Sequence, residues 1–312
     1  MTKTISIIVP CYNEEESIEI FYKEVKKVFK TIKNVKYELL FINDGSEDNT
    51  LKIIKSLSTK DENVKYISFS RNFGLEAGIY AGLTESTGDY VAKMDVDLQD
   101  PPEYIKTMYE ILETEDYDCV ALYTKSHEGY SFIRKSFTNL WYKLTDKISN
   151  SKQKPGARDF RLMTRQMVES LISMKEYNRY IKGFFGYIGF KTKWIAYDAP
   201  DRKNGVSKFN LRKLFTYAIE GIVSFSTKPL VISVYVGLLF CLISFIAIIG
   251  IIIKTLVYGD PTPGWPSLAC IIIFVSAIQL FFLGIIGTYI SKIYLEVKQR
   301  PIYIVKEKNI KK

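Results

Sequence analysis

Short apolar runs alternate with polar, acid-bearing turns through the first third of the chain. Thr4 to Pro10 (Thr-Ile-Ser-Ile-Ile-Val-Pro) is β-rich and apolar almost throughout, the pattern of a strand buried in a parallel sheet. Cys11-Tyr12-Asn13-Glu14-Glu15-Glu16-Ser17 follows as a polar turn that carries acids into a helix reaching about Ile32. A second strand, Tyr37 to Ile42, ends in Asn43-Asp44-Gly45-Ser46 and leads to a helix from about Asn49 to Leu57. A third, Val64 to Ser68, leads to Arg71-Asn72-Phe73-Gly74 and a helix through Ala81. A fourth, around Tyr90-Val91-Ala92, runs into Met94-Asp95-Val96-Asp97-Leu98-Gln99-Asp100-Pro101-Pro102. Strands alternating with helices predict a doubly wound α/β domain, in which ligands bind beyond the carboxyl ends of the strands. Every polar cluster named here falls at such an end.

The acidic stretch is the chemical centre. Asp95 and Asp97 stand two residues apart, so an extended backbone puts both carboxylates on one face. Two adjacent carboxylates repel unless a cation or a proton lies between them. Oxygen ligands of this type suit Mg²⁺ or Mn²⁺, which commonly bridge to a diphosphate. An acidic helix cap ahead of the Pro101-Pro102 pair is the plainer alternative, and the pair alone does not separate the two.

Beyond Asp118-Cys119-Val120-Ala121 the α/β alternation stops. Ile133, Phe137, Leu140, Trp141, Leu144 and Ile148 recur at helical spacing with Arg134, Lys135, Lys143 and Lys147 between them. A second such helix uses Phe209, Leu211, Leu214, Phe215, Ala218, Ile219 and Ile222. Both predict amphipathic helices that lie in a membrane interface or pack on the sheet. Pro229 to Ile253 and Leu268 to Ile290 are uncharged over about 25 and about 23 residues, each long enough to cross a bilayer core. The short Pro- and Gly-containing linker between them predicts a transmembrane hairpin.

Charge then changes the picture once. The chain has 312 residues and a formal net charge of +9. Arg212, Lys213 and Lys228 precede the first span, and the tail from Ser291 carries seven Lys/Arg against two Glu. Positive charge at both outer ends predicts that both face the cytoplasm, which explains the net charge without nucleic acid. A lone histidine, His127, argues against a zinc site or a histidine triad. Four cysteines without a Cys-x-x-Cys spacing fit a reducing compartment. The start of the chain runs straight into a strand, so no signal peptide is expected.

Ile7-Ile8-Val9-Pro10-Cys11-Tyr12-Asn13-Glu14, Asn43-Asp44-Gly45-Ser46, Ser70-Arg71-Asn72-Phe73-Gly74 and Asp95-Val96-Asp97-Leu98-Gln99 together resemble the motifs of family 2 glycosyltransferases of the GT-A fold. Arg158-Asp159-Phe160-Arg161-Leu162-Met163, the stretch from Arg202 to Lys208, and Ser224-Phe225-Ser226-Thr227-Lys228-Pro229-Leu230 are similar to the polyprenyl-phosphate group of that family. That group includes bactoprenol glucosyltransferases and, more distantly, dolichyl-phosphate mannose synthases. The resemblance implies a GT-A doubly wound, mostly parallel sheet within a cytoplasmic catalytic domain over residues 1–228, with interfacial helices near 131–148 and 208–227. It implies two transmembrane helices within 229–290 (about 229–257 and 268–290) and a basic cytoplasmic tail over 291–312.

By the same resemblance Pro10, Tyr12, Glu14 and Asp44 would border the nucleotide base and ribose, with Arg71 on the same rim. Asp95, Asp97 and Gln99 would surround the metal and diphosphate. Asp159 would face the reacting sugar, and Arg202, Lys208 and Arg134 would meet the acceptor phosphate. Asp97 and Asp159 are thus the expected catalytic residues. The implied reaction moves a sugar, from UDP by analogy, onto undecaprenyl or another polyprenyl phosphate. A phosphate monoester with a second pKa near about 6 is already largely dianionic at neutral pH, so Asp159 is expected to position the sugar or face developing positive charge more than to remove a proton. Its structural alternative is to hold Arg158 or Arg161. The resemblance further implies a homotetramer, and two spans leave product flipping to a separate protein. A processive polysaccharide synthase is disfavoured by the absence of Gln-x-x-Arg-Trp and of further membrane helices. A non-catalytic nucleotide-sugar scaffold is disfavoured because the acidic pair, Asp159 and the basic loop are all present.

Overall fold

The computed structural model describes residues 2–124, 154, 156–197, 228–258 and 264–310. Its strands are β1 (Lys3–Cys11), β2 (Val35–Asn43), β3 (Val64–Phe69), β4 (Tyr90–Lys93), β5 (Cys119–Thr124), β6 (Ala157–Thr164), β7 (Thr192–Tyr197) and β8 (Val305–Lys308). They form one sheet in the order β7-β5-β6-β4-β1-β2-β3-β8. β1 pairs in parallel with β2 and β4, β2 with β3, and β5 with β7, while β6 and β8 run antiparallel to their neighbours. The chain steps outward from β1 through β2 to β3, then returns to the other side of β1 with β4. That reversal makes the β1–β4 junction the switch point of the sheet, and sheets of this kind bind ligands beyond the carboxyl ends of the strands there.

Strand alternation divides the core between the two faces. Ile5, Ile7, Val9 and Cys11 of β1 pack in one layer with α1 (Ile18–Phe29), α2 (Thr50–Lys60) and α4 (Tyr104–Thr114). Ile8 faces the other layer, with α3 (Leu75–Glu85), α5 (Arg165–Ser173) and α6 (Ile181–Tyr187). α1 shows why these segments are helical. Its buried Ile18, Phe21, Val25 and Val28 recur every three or four residues, leaving lysines on the outer side. It stops at Phe29, short of the expected Ile32, and Asn34 turns the chain through the left-handed region (φ 57°) into β2. α3 lies so close to β1 that a Cβ on Gly82 would sit 2.8 Å from Ile8 Cβ.

Two findings depart from the sequence reading. The α/β alternation does not end at Ala121; it resumes with β6, α5, α6 and β7. β6 carries Asp159 and inserts antiparallel between β4 and β5, with Lys93 opposite Arg161. The C-terminal stretch is also more than a basic tail, because β8 extends the sheet along β3, and Tyr303 stacks on Phe69 at 4.9 Å.

α7 (Lys228–Tyr258) and α8 (Trp265–Val297) have 31 and 33 residues. At 1.5 Å per residue each is about 45–50 Å long, more than the roughly 30 Å of a bilayer core. Both are long and apolar enough to cross a membrane. They touch each other through Phe240 and Phe274, and leave side chains such as Leu238, Phe245, Phe281 and Leu283 exposed. The amphipathic segments 131–148 and 208–227 expected at an interface lie outside the described residues, as do His127, Arg134, Arg202 and Lys208.

Candidate active site

The loops after β1 and β2 are laced together beyond the carboxyl ends of their strands. Asn13, in the left-handed region (φ 54°), donates its N–H to Ser46 Oγ at 3.0 Å, and its side-chain oxygen accepts from Glu47 N at 2.9 Å. Glu14 N donates to Thr50 Oγ1 at 2.8 Å. This brings Pro10, Tyr12, Glu14 and Asp44 to one rim, with the Tyr12 ring well exposed there.

Asp44 has a structural duty as well. Its buried carboxylate accepts the N–H groups of Phe73 (2.6 Å) and Gly74 (2.9 Å), holding the loop that presents Arg71. Burial pushes this carboxyl above its ordinary range, outweighing those hydrogen bonds. The Arg71 guanidinium lies over the Phe73 ring at 4.0 Å. Gly45 makes the crossing of the two loops possible. It sits at φ 67°, and a Cβ there would be 2.4 Å from the Arg71 carbonyl carbon.

The acidic loop after β4 bends at Leu98, whose φ is 55°, and lets Asp97 Oδ1 accept Gln99 N at 3.2 Å. Burial raises the Asp97 carboxyl above its usual range, and the charges of Asp95 and Asp100 add to that. Asp100 is a different kind of carboxylate. Fully buried, it accepts Arg158 Nε at 2.8 Å and the Tyr197 hydroxyl at 3.0 Å, while Arg158 Nη2 reaches Gln99 Oε1 at 3.4 Å. Arg158 therefore ties the acidic loop to β6 rather than pairing with Asp159.

Asp159 faces two ammonium groups. Lys182 Nζ stands 3.2 Å from Oδ1 and Lys93 Nζ 3.9 Å from Oδ2. Lys93 is buried and also donates to Asp95 Oδ1 at 2.7 Å, so one cation links the acidic loop to Asp159. Burial would raise the Asp159 carboxyl, but Lys182, Lys93 and Arg161 together hold it below the usual range. Arg161 does not pair with it directly. Its buried guanidinium lies over the Phe185 ring at 3.5 Å and donates weakly to the Arg158 carbonyl, with Nε unpartnered. Lys93 and Lys182 escape the sequence reading. The one available signal was a lysine ending an otherwise apolar strand two residues before Asp95; Lys182 offered none.

Among the described residues, no three acidic, histidine or cysteine side chains gather into one metal-holding group. The donors at hand are the Asp95 and Asp97 carboxylates and the Gln99 amide. Hard oxygen donors with Asp97 pushed up beside Asp95 fit a divalent cation such as Mg²⁺ or Mn²⁺, provided a ligand supplies further oxygens.

A doubly wound sheet with this acidic loop at its switch point, and a further carboxylate delivered across from an antiparallel strand, is the arrangement expected of a glycosyltransferase of the GT-A type. Residues 6–172 match the family described as Glycosyl transferase family 2, and the chain belongs to it. It is 43% identical over 303 residues to the SfII prophage-derived bactoprenol glucosyl transferase of Shigella flexneri, covering 97% of each chain. It is 42% identical over 302 residues to the prophage bactoprenol glucosyl transferase homolog of Escherichia coli (strain K12), covering 97% of this chain and 98% of that one. Among solved structures, glucosyl-3-phosphoglycerate synthase from Mycobacterium tuberculosis, in complex with Mn²⁺, UDP-glucose and phosphoglyceric acid, matches with a TM-score of 0.48 at 18% identity. That match covers 71% of this chain and 78% of the other.

Proposed function

We propose that this glycosyltransferase moves a hexose from a UDP-sugar to the phosphate of a polyprenol, undecaprenyl phosphate being the preferred acceptor, at the cytoplasmic face of a membrane. The observation that carries the reading is the convergence of the Asp95/Asp97 loop and Asp159 across the β4–β6 pair, linked by Lys93. The full-length similarity to bactoprenol glucosyl transferases supports the acceptor class.

Pro10, Tyr12 and Glu14 border the base and ribose, and Asp44 holds Arg71 beside them. Asp95, Asp97 and Gln99 would hold Mg²⁺ or Mn²⁺, which when bound would supply Lewis acidity toward the diphosphate. An acceptor phosphate oxygen attacks the anomeric carbon as the bond from that carbon to the diphosphate oxygen breaks, and the electron pair leaves on UDP. The dianionic acceptor needs no proton removed. The ionised Asp159 therefore faces the positive charge that develops at the sugar. Lys182 and Lys93 keep it ionised and in place. Arg134, Arg202 and Lys208 neutralise the acceptor so that two anions can meet.

α7 and α8 anchor the enzyme where a lipid acceptor is confined. β8 follows α8 yet joins the sheet that precedes α7, which supports both ends of the hairpin lying on one side, with both termini cytoplasmic. A homotetramer and a separate flippase complete this reading.

Membranes holding the full chain, incubated with a panel of radiolabelled nucleotide sugars and then extracted for lipid, test it. One UDP-sugar is expected to give a labelled polyprenyl-phosphate sugar, with label lost on chelation and in a folded Asp97→Ala variant. Undiminished synthesis in the presence of chelator, or by that variant, would remove the metal assignment. Label in a long polymer would turn the reading toward a processive synthase.

A further inference from the structure

The end of α8 is hydrogen-bonded to the segment that presents Lys182. Glu296 lies in the last turn of that helix. One of its oxygens accepts Tyr177 N at 3.0 Å, and the other accepts Asn178 N at 2.9 Å and Asn178 Nδ2 at 3.0 Å. The same Asn178 amide donates to the Lys292 carbonyl at 3.2 Å, one turn earlier in α8. A carboxylate accepting three N–H groups from two consecutive residues grips the backbone rather than decorating a surface.

The gripped segment leads directly to the reacting site. Arg179 is buried, donates to the carbonyls of Met174 and Leu171, and lies over the Tyr80 ring at 4.0 Å, so the segment cannot swing independently of α5 and α3. Ile181 N then donates to Glu76 Oε2 at 3.0 Å, which aligns the start of α6. The next residue is Lys182, 3.2 Å from Asp159. From Glu296 to Asp159 the path consists of hydrogen bonds and one short piece of backbone. The chain that leaves α8 is held as well, since Ser70 N, just past Phe69 at the end of β3, donates to the Ile304 carbonyl at 3.0 Å.

We propose that Glu296 is a positioning residue for sugar transfer. Through Tyr177 and Asn178 it sets where Lys182 stands relative to Asp159, and so couples the membrane helix to the reacting carboxylate. The physical need is plain. The acceptor phosphate is held at the depth of the headgroups, and an ammonium–carboxylate pair misplaced by about 1 Å can cost on the order of 100-fold in rate. A helix that both enters the bilayer and grips the catalytic segment gives the site a fixed height. This rests on the reading of Asp159 as the carboxylate that faces the sugar.

The test uses the full chain in lipid nanodiscs with two readouts. The first is acylation of Lys182 by an N-hydroxysuccinimide ester, quantified by mass spectrometry against the exposed Lys23. The second is kcat and donor KM for transfer to polyprenyl phosphate. In Glu296→Ala, Lys182 labelling is expected to rise severalfold with Lys23 unchanged, and kcat to fall about 10- to 100-fold at constant donor KM. Glu296→Gln retains one acceptor oxygen and should fall between wild type and Glu296→Ala. Asn178→Asp removes the amide donor and sets a carboxylate against Glu296, so it should reproduce the alanine effect from the other side. If Glu296→Ala yields no folded protein, the last two variants carry both readouts. Wild-type Lys182 labelling and kcat in folded variants would overturn the proposal. A wild-type enzyme that transfers to no lipid phosphate would instead sink the acceptor reading, while Lys182 labelling would still judge the link.

Discussion

Two lysines decide what Asp159 can do. With Lys182 and Lys93 on either side, its carboxyl stays below the ordinary range and remains ionised throughout the working pH. The titration that matters for transfer is then the acceptor's. Rate should fall as pH drops through about 6, where a phosphate monoester takes its second proton and becomes a weaker nucleophile. Asp159→Asn should lower kcat by on the order of 100-fold at every pH while leaving that acid limb in place. A limb that vanishes in the variant would assign the proton to Asp159 instead. Asp95 and Asp97 were visible in the sequence as an Asp-x-Asp pair just past an apolar run, but the structure sets Asp97 in a turn beyond β4 and not in the extended backbone the spacing suggested. The role of Arg158 was not visible, because its partner Asp100 lies 58 residues away and meets it only across the folded sheet.

Elements built from local pattern were largely legible, while those completed by a distant partner were not. β1 to β4 follow the apolar runs closely, since a strand buried on both faces has to be apolar nearly throughout. β8 could not be read that way. Val305-Lys306-Glu307-Lys308 has one apolar residue in four and belongs to a stretch rich in lysine, yet it pairs with β3 across most of the chain's length. It is fastened by Lys308 to Glu85 at 2.7 Å, by Glu307 to Lys55 at 2.6 Å and by the Tyr303–Phe69 stack. Ending the chain after Arg300 should therefore cost on the order of 3 kcal/mol from lost apolar burial. It should also expose the β3 edge to association. Thermal unfolding and light scattering of the truncated protein check this, and an unchanged midpoint would show that β8 does not fasten the sheet.

Taken as a molecule, the chain joins a sheet covered by helices on both faces to a hairpin of two apolar helices that leave side chains such as Leu238 and Phe281 exposed. Exposed apolar area of that extent is not tolerated in water. An alkaline carbonate wash should leave the protein in the membrane pellet and detergent should release it; recovery in the carbonate supernatant would contradict an embedded hairpin. The return of the chain from α8 into the sheet means that this apolar helix is tied to the sheet twice, through Glu296 and through Ile304.

Periodicity and charge in the chain were enough to establish the kind of domain, the polar loops at its strand ends with Asp95 and Asp97 among them, and the two long apolar helices. Each of these depends on near neighbours in the sequence, and near neighbours impose strand alternation, turn chemistry and unbroken hydrophobicity wherever the chain goes. What remained hidden was pairing at a distance: β6 between β4 and β5, β8 on β3, Lys93 and Lys182 about Asp159, and Glu296 on Tyr177 and Asn178. Contacts of that kind leave no local mark, because a lysine reads the same whether it ends in solvent or beside a carboxylate brought to it by folding.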